Sequence, residues 1–111
     1  MKIKKLDENF ILFDNGSIIS GSHYPECCEE NFIDPSQLED IAMNFDFPED
    51  LVFEKCDYGF RFGDGISMFF VPCYSEQNGY YSYDIDIKYT DKNGTIIKSI
   101  STECKLKEEE W

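Results

Sequence analysis

The chain has 111 residues, 41% of them apolar and 16% aromatic, which is enough for one hydrophobic core and argues against a disordered segment. Ten Lys and Arg residues stand against 23 Asp and Glu residues, and the formal net charge of -13 argues against direct binding of nucleic acid or of an anionic membrane. The apolar runs are too short for a membrane span or a signal peptide, so we expect a single domain over residues 1–111, located in the cytoplasm.

The first predicted element is a β-hairpin. Residues 9–13 form an apolar run, and Asp14, Asn15 and Gly16 follow it as a turn signal, because Asn and Gly tolerate a positive φ. Residues 17–22 are predicted to return as the second strand.

One main helix is predicted over residues 34–45, after this hairpin. Asp34 is suited to the N-cap and Pro35 to the first helical position. Four apolar residues then follow the spacing i, i+3, i+4 and i+7, which places them on one helix face. They are Leu38, Ile41, Ala42 and Phe45. We expect this face to pack on a sheet, with Glu39 and Asp40 directed to water.

The chain from residue 51 onward is predicted to form a succession of strands. Aromatic and aliphatic side chains are frequent in residues 51–56, 60–62 and 66–71. Apolar and polar residues alternate over residues 80–89. An Asn-Gly turn at 91–94 leads into the last strand. The predicted fold class is therefore α+β: an antiparallel sheet of hairpins or a meander, with about six strands and the main helix on one face.

Acidic residues are concentrated in the N-terminal half. Between Leu6 and Glu54 there are 13 Asp and Glu residues and no Lys or Arg, whereas the rest of the chain has ten of each sign. Such a surface repels nucleic acid and attracts basic protein, so we predict a non-catalytic protein-interaction module with a basic partner. The alternatives are an acidic mimic of nucleic acid that blocks a basic protein site, and a solvated face that only keeps the protein soluble. The residues predicted to make the contact are Glu26, Glu29, Glu30, Glu39 and Asp40.

A further alternative is a zinc-binding protein that uses His23, Cys27 and Cys28. Imidazole and thiolate are the ligands that Zn²⁺ prefers. A structural zinc site needs four ligands, and the other cysteines show no C-x-x-C spacing, so packing or hydrogen bonding of these side chains is the competing interpretation. Neighbouring glutamates disfavour a thiolate nucleophile, and we predict no enzymatic activity and no cofactor beyond this zinc.

The chain has five cysteines, an odd number that favours free thiols in a reducing compartment over a secreted disulfide framework. Cys56, Cys73 and Cys104 lie in or beside predicted strands. We expect them to behave as small hydrophobic side chains.

Tyrosines recur at strand spacing in the C-terminal half. Tyr81, Tyr83 and Tyr89 share one predicted face with Ile85 and Ile87, and we expect that face to pack in the core. Any tyrosine face left open on the sheet would favour a homodimer.

Three short motifs carry a resemblance. His23-Tyr24-Pro25-Glu26-Cys27-Cys28-Glu29 resembles the H-x-x-x-C-C-E signature of a family of small uncharacterised proteins from bacteria and their phages. The turn Phe13-Asp14-Asn15-Gly16 and the segment Asn78-Gly79-Tyr80-Tyr81-Ser82 are similar to the same family. The resemblance implies a bacterial or phage origin and assigns no catalytic residue.

Overall fold

The computed structural model describes residues 1–22, 30–76 and 84–106, which form ten β-strands in two five-stranded sheets and a single helical turn. The strands are β1 (Ile3–Asp7), β2 (Phe10–Phe13), β3 (Ile18–Ser22), β4 (Glu30–Ile33), β5 (Val52–Cys56), β6 (Gly59–Gly63), β7 (Met68–Glu76), β8 (Asp84–Thr90), β9 (Ile96–Glu103) and β10 (Lys105–Leu106), and the helical turn is α1 (Leu38–Ile41).

The first sheet has the strand order β1-β2-β3-β8-β9, and every neighbouring pair is antiparallel. Tight turns join β2 to β3 and β8 to β9, with Gly16 at φ 89° and Gly94 at φ 84°. Glycine adopts a positive φ at little cost, so each turn places it where the conformation requires it. The predicted N-terminal hairpin and the predicted Asn-Gly turn are confirmed.

The second sheet is organised around β7, the nine-residue strand. The first half of β7 pairs antiparallel with β6, and β6 pairs in turn with β5. The second half of β7 pairs antiparallel with β4 and parallel with β10. Where the partners change, the Pro72 carbonyl accepts a hydrogen bond from the Asp34 N–H and the Cys73 N–H donates to the Tyr58 carbonyl, both at 2.9 Å. The C=O and N–H of one peptide unit point in opposite directions. Strand β4 therefore lies on one edge of β7, while β6 and β10 share the other.

The hydrophobic core lies between the two sheets. Phe13 of β2 meets Phe62 of β6 edge-on, with ring centroids 6.4 Å apart, and Tyr89 of β8 lies 5.7 Å from Phe53 of β5. Ile85 and Ile87 are buried together with Tyr89, so the predicted inward face of this strand is confirmed for these three residues. Two sheets that bury such faces against each other need no helical cover.

Polar side chains link the two sheets at three places around this core. The Asn9 side-chain oxygen accepts a hydrogen bond from the Ile33 N–H at 3.3 Å, and the Asn31 amide donates to the Asp84 carbonyl at 2.9 Å. The buried Thr102 hydroxyl lies 3.1 Å from the Cys56 carbonyl oxygen and 3.0 Å from that of Gly59. These bonds run between sheets and fix one sheet relative to the other.

The predicted α+β fold class is wrong, because the helix over residues 34–45 is not formed. Only α1 is helical, and its C-cap Ala42 has φ -133° and ψ -4°. Of the predicted stripe, Leu38 and Ala42 are buried but Ile41 is 58% exposed. No helix in the part of the chain that the structure describes is long and apolar enough to cross a bilayer.

Phe45 and Phe47 explain why the helix ends so early. Phe47 is buried and stacks on Phe62 at 5.3 Å, while Phe45 packs against both Phe47 and Phe69 at 4.6 and 5.0 Å. Residues i and i+2 face different directions on a helix, so a helix would have buried one of these rings only. Extended backbone after α1 directs both rings into the core, and this burial outweighs the lost helical hydrogen bonds.

The predicted strand number is wrong as well: the described residues contain ten strands where about six were expected. The strands from β5 to β7 do not extend the first sheet. With β4 and β10 they form a second sheet, which covers the face that was assigned to the helix.

Candidate functional site

Five of the residues singled out in the sequence lie outside the described residues: His23, Glu26, Cys27, Cys28 and Glu29. Within residues 1–22, 30–76 and 84–106, no group of three or more His, Cys, Asp or Glu side chains is arranged to hold a metal ion. The zinc site at the His-Cys-Cys cluster therefore stays a prediction.

The predicted acidic contact residues Glu39 and Asp40 lie on α1 and are exposed. Glu30 opens β4. Glu39 and Asp34, which the predicted helix had placed in one segment, are brought together with Asp7 and Glu8 from the β1–β2 turn, which the sequence did not place beside them. The resulting cavity of about 320 Å³, here called the acidic pocket, is lined by Leu6, Asp7, Glu8, Asp34, Pro35, Ser36 and Glu39.

Asn9 positions one wall of the acidic pocket, at the turn between β1 and β2. Its φ is 76°, a left-handed conformation that Asn tolerates better than most residues. Its backbone N–H donates to the Ile33 carbonyl at 3.4 Å, and its own carbonyl accepts from the Gly21 N–H at 2.8 Å. Asp7 and Glu8 are thereby held against the segment that follows β4. From the sequence alone, Asn9 is only the first residue of the run 9–13, because nothing there signals a hydrogen-bond partner 24 residues away.

Asp34 and Pro35 form the opposite wall. The Asp34 side chain accepts a hydrogen bond from the Ser36 N–H at 3.1 Å, and the Leu38 N–H donates to the Pro35 carbonyl at 3.0 Å. The bond from Ser36 to the Asp34 side chain is that of an Asx turn. Asp34 therefore accepts a hydrogen bond from a following backbone N–H, much as the predicted N-cap residue would. The turn aims the following residues so that Leu38 enters the core and Glu39 faces the pocket.

No ion pair neutralises the acidic pocket within the described residues. The ion pairs between described residues lie elsewhere, between the Met1 amino group and Asp46, between Arg61 and Glu54, and between Lys98 and Asp50. Four carboxylates that line one concave surface, without a counter-ion among the described residues, produce a negative local potential. The arrangement is suited to receiving a positively charged group.

A second cavity, of about 370 Å³, opens at the far end of β8 and β9. Asp84 and Glu103 face each other directly across these strands, and the cavity is lined by Tyr58, Asp84, Glu103, Cys104 and Leu106. Cys104 itself is 2% exposed. A hydrogen bond with Cys104, together with burial, raises the pKa of the Cys73 thiol well above its usual range.

The three described cysteines have free thiols, as the odd cysteine count predicted. Cys73 and Cys104 are buried and serve as small hydrophobic side chains, which confirms that expectation for these two. Cys56, at the end of β5, is only partly buried.

Comparison with protein-family models, curated proteins and solved structures finds no match to this chain. The resemblance of the segment at residues 23–29 to a bacterial and phage family therefore stays a prediction. What the structure defines is a class: a protein of two packed, mainly antiparallel β-sheets with an acidic pocket between the first turn and the segment after β4.

Proposed function

We propose that this protein is a non-catalytic interaction module, and that its acidic pocket binds a basic site on a partner protein. The observation that carries the proposal is the convergence of Asp7, Glu8, Asp34 and Glu39 on one cavity without a neutralising cation among the described residues. The formal net charge of -13 adds long-range attraction for such a partner.

The shape of the acidic pocket favours a Lys or Arg side chain as the group received. Leu6 and the buried Pro35 supply apolar surface beside the four carboxylates. Long cationic side chains lay their methylene groups along apolar surface while the charged end meets acceptors. A pocket of about 320 Å³ is large enough for one such side chain with its hydration.

The test neutralises the pocket and compares it with an equal change elsewhere. The pocket variant combines Asp7→Asn, Glu8→Gln, Asp34→Asn and Glu39→Gln, and the amide groups keep the side-chain oxygens that accept local hydrogen bonds. The control variant neutralises four exposed acids outside the pocket: Asp14, Glu49, Asp57 and Glu103. Both variants have the same net charge, so a difference between them reports the pocket and not total charge.

The measurement is the association rate with a lysine-rich peptide at low and at high salt. For the pocket variant we expect a rate at least about tenfold below that of the control variant at low salt, and a loss of this difference at high salt. Equal rates for the two variants would refute the pocket as the binding surface. The two variants are then immobilised and exposed to a bacterial lysate, to identify proteins that the control variant retains and the pocket variant does not. Competition by duplex DNA for the retained proteins distinguishes a nucleic-acid mimic from other interaction modules.

A further inference from the structure

We propose that Cys73 and Cys104 form a redox modification site, at which a small hydroperoxide oxidises the two thiols to a disulfide that joins β10 to β7. Nothing in this proposal depends on the acidic pocket. It rests on strand register, burial and the cavity beside Cys104.

Strand register places the two cysteines side by side. Strand β10 pairs parallel with β7 through Lys105 with Tyr74 and Leu106 with Ser75. Cys73 and Cys104 immediately precede Tyr74 and Lys105, the first residues of this pairing, so extending the register by one residue places Cys104 beside Cys73. Adjacent strands lie about 4.8 Å apart, which falls within the range of about 4.4 to 6.8 Å between the Cα atoms of disulfide-bonded cysteines.

The side chains of the two cysteines also point to the same place. Cys73 is fully buried and Cys104 is 2% exposed, and the neighbouring Cys104 thiol together with burial raises the pKa of the Cys73 thiol. Their burial at one place in the second sheet makes a disulfide between them compatible with the spacing of adjacent strands. Cys56 is in a different position, because its thiol lies at the end of β5 and approaches the Glu54 carbonyl at 3.9 Å.

The cavity lined by Cys104 supplies the route for the oxidant. It has a volume of about 370 Å³ and reaches the surface between Tyr58, Glu103 and Leu106. A hydroperoxide is small enough to enter, whereas a bulky disulfide reagent requires β10 to detach. Cys104 is only 2% exposed, and its thiol together with burial disfavours the thiolate at Cys73, so the reaction is expected to be slow.

The chemistry balances in two steps. The Cys104 thiolate attacks one peroxide oxygen, the O–O bond breaks, and Cys104 becomes a sulfenic acid while hydroxide leaves. The Cys73 sulfur then displaces the hydroxyl group from the Cys104 sulfur, which forms the S–S bond and releases water. Two thiols lose two electrons and two protons in total, and one hydrogen peroxide becomes two waters.

The length of the hydrogen peroxide treatment is first set on the wild-type chain, as the time at which the partly buried Cys56 is fully oxidised, and the same treatment is then applied to each variant. A background with Cys27→Ser, Cys28→Ser and Cys56→Ser leaves only the proposed pair, and adding Cys104→Ser gives the control. We expect the background protein to lose two hydrogen atoms in mass and to regain them with dithiothreitol. We expect its melting temperature to rise by about 10 °C on oxidation, because the disulfide closes a loop of about 30 residues. The control is expected to show neither change.

Wild-type protein provides a measurement that does not depend on these substitutions being tolerated. After the same treatment, remaining thiols are alkylated in denaturant and the peptides are mapped by mass spectrometry. A peptide pair linked through Cys73 and Cys104 supports the proposal. Free, alkylated Cys73 and Cys104 at the point where Cys56 is fully oxidised would overturn it, as would linkage of either residue to another cysteine.

Discussion

Asn9 shows how much of this fold depends on a single polar residue. It accepts a hydrogen bond from Ile33 of the second sheet through its side chain and one from Gly21 of the first sheet through its backbone carbonyl. An unpaired backbone N–H at such a junction costs free energy comparable to that of a lost hydrogen bond. The same residue holds Asp7 and Glu8 at the acidic pocket, so it contributes both to the stability of the fold and to the proposed function.

We expect Asn9→Ala to lower the free energy of unfolding by about 1 to 3 kcal/mol, because it removes the acceptor for the Ile33 N–H and places alanine at a positive φ. Asn9→Gly relieves the φ cost but not the lost hydrogen bond, and should therefore destabilise less. Urea titrations of the three proteins measure both effects. Equal midpoints for wild type and Asn9→Ala would contradict the proposed link between the sheets.

Asp64 offers a test of pH dependence at the turn between β6 and β7. Backbone N–H groups of Ser67 and Ile66 donate to its carboxylate at 2.7 and 2.8 Å, and these bonds lower the pKa of Asp64 below its usual range. A carboxyl group whose pKa is lower in the folded protein stabilises the fold at pH values above the unfolded pKa. That contribution is lost as the pH falls through the folded pKa.

For Asp64→Asn we expect a lower melting temperature at neutral pH, because a neutral amide oxygen is a weaker acceptor than a carboxylate. The difference from wild type should begin to shrink below about pH 4, the ordinary pKa of an Asp carboxyl in the unfolded chain, and should be lost once the pH falls through the lower pKa of the folded carboxyl. Thermal melting across this range measures the difference, with Asp57→Asn at the neighbouring β5–β6 turn as the comparison. A difference that is independent of pH would assign the effect to something other than the charge of Asp64.

The segment from α1 to β5 illustrates a competition between helix and extended chain. The spacing of Leu38, Ile41 and Ala42 is helical, and it is satisfied by the one turn that the structure contains. Beyond that turn, Phe45 and Phe47 gain more from packing on Phe62 and Phe69 than from continuing the helix.

Two alanine substitutions separate these alternatives. Phe47→Ala should lower the free energy of unfolding by about 3 to 5 kcal/mol, because it removes a buried ring. Ile41→Ala should change it by less than about 0.5 kcal/mol, since Ile41 is 58% exposed. A continuous helix over residues 34–45 would make Ile41 part of the buried stripe, and Ile41→Ala would then cost about 2 to 5 kcal/mol. Chemical denaturation of the two variants decides between them.

For the whole molecule, charge is the dominant property. A formal net charge of -13 on 111 residues opposes the compact state through self-repulsion. Because added salt screens this repulsion, we expect the melting temperature to rise by several degrees between about 10 mM and about 300 mM sodium chloride. The pocket variant, with four carboxylates neutralised, should show a smaller rise. A melting temperature insensitive to salt would mean that local ion pairing compensates the charge.

Predictability from the sequence differed between local and long-range features. Gly16 and Gly94 mark their turns because a positive φ is a property of the residue itself, and Ile85, Ile87 and Tyr89 reveal their buried face by alternation alone. The acidic pocket could be predicted only in part. Its negative charge follows from the sequence, whereas the position of Glu8 beside the same cavity as Glu39 depends on the hydrogen bond between Asn9 and Ile33.

Turn chemistry and period-two alternation were thus sufficient to predict the hairpins and the paired strands that they join, because these signals act over a few residues. The acidic character of the N-terminal half followed from the composition alone. Tertiary packing alone decided that β7 takes β4 and β10 as partners, that Cys73 comes to face Cys104, and that the helix stops after one turn. The strand pairings depend on backbone hydrogen bonds between segments far apart in the sequence, and the early end of the helix is determined by the apolar area that Phe45 and Phe47 bury against distant strands. That gain exists only once both sheets are present, and it outweighs local helix propensity where the two conflict.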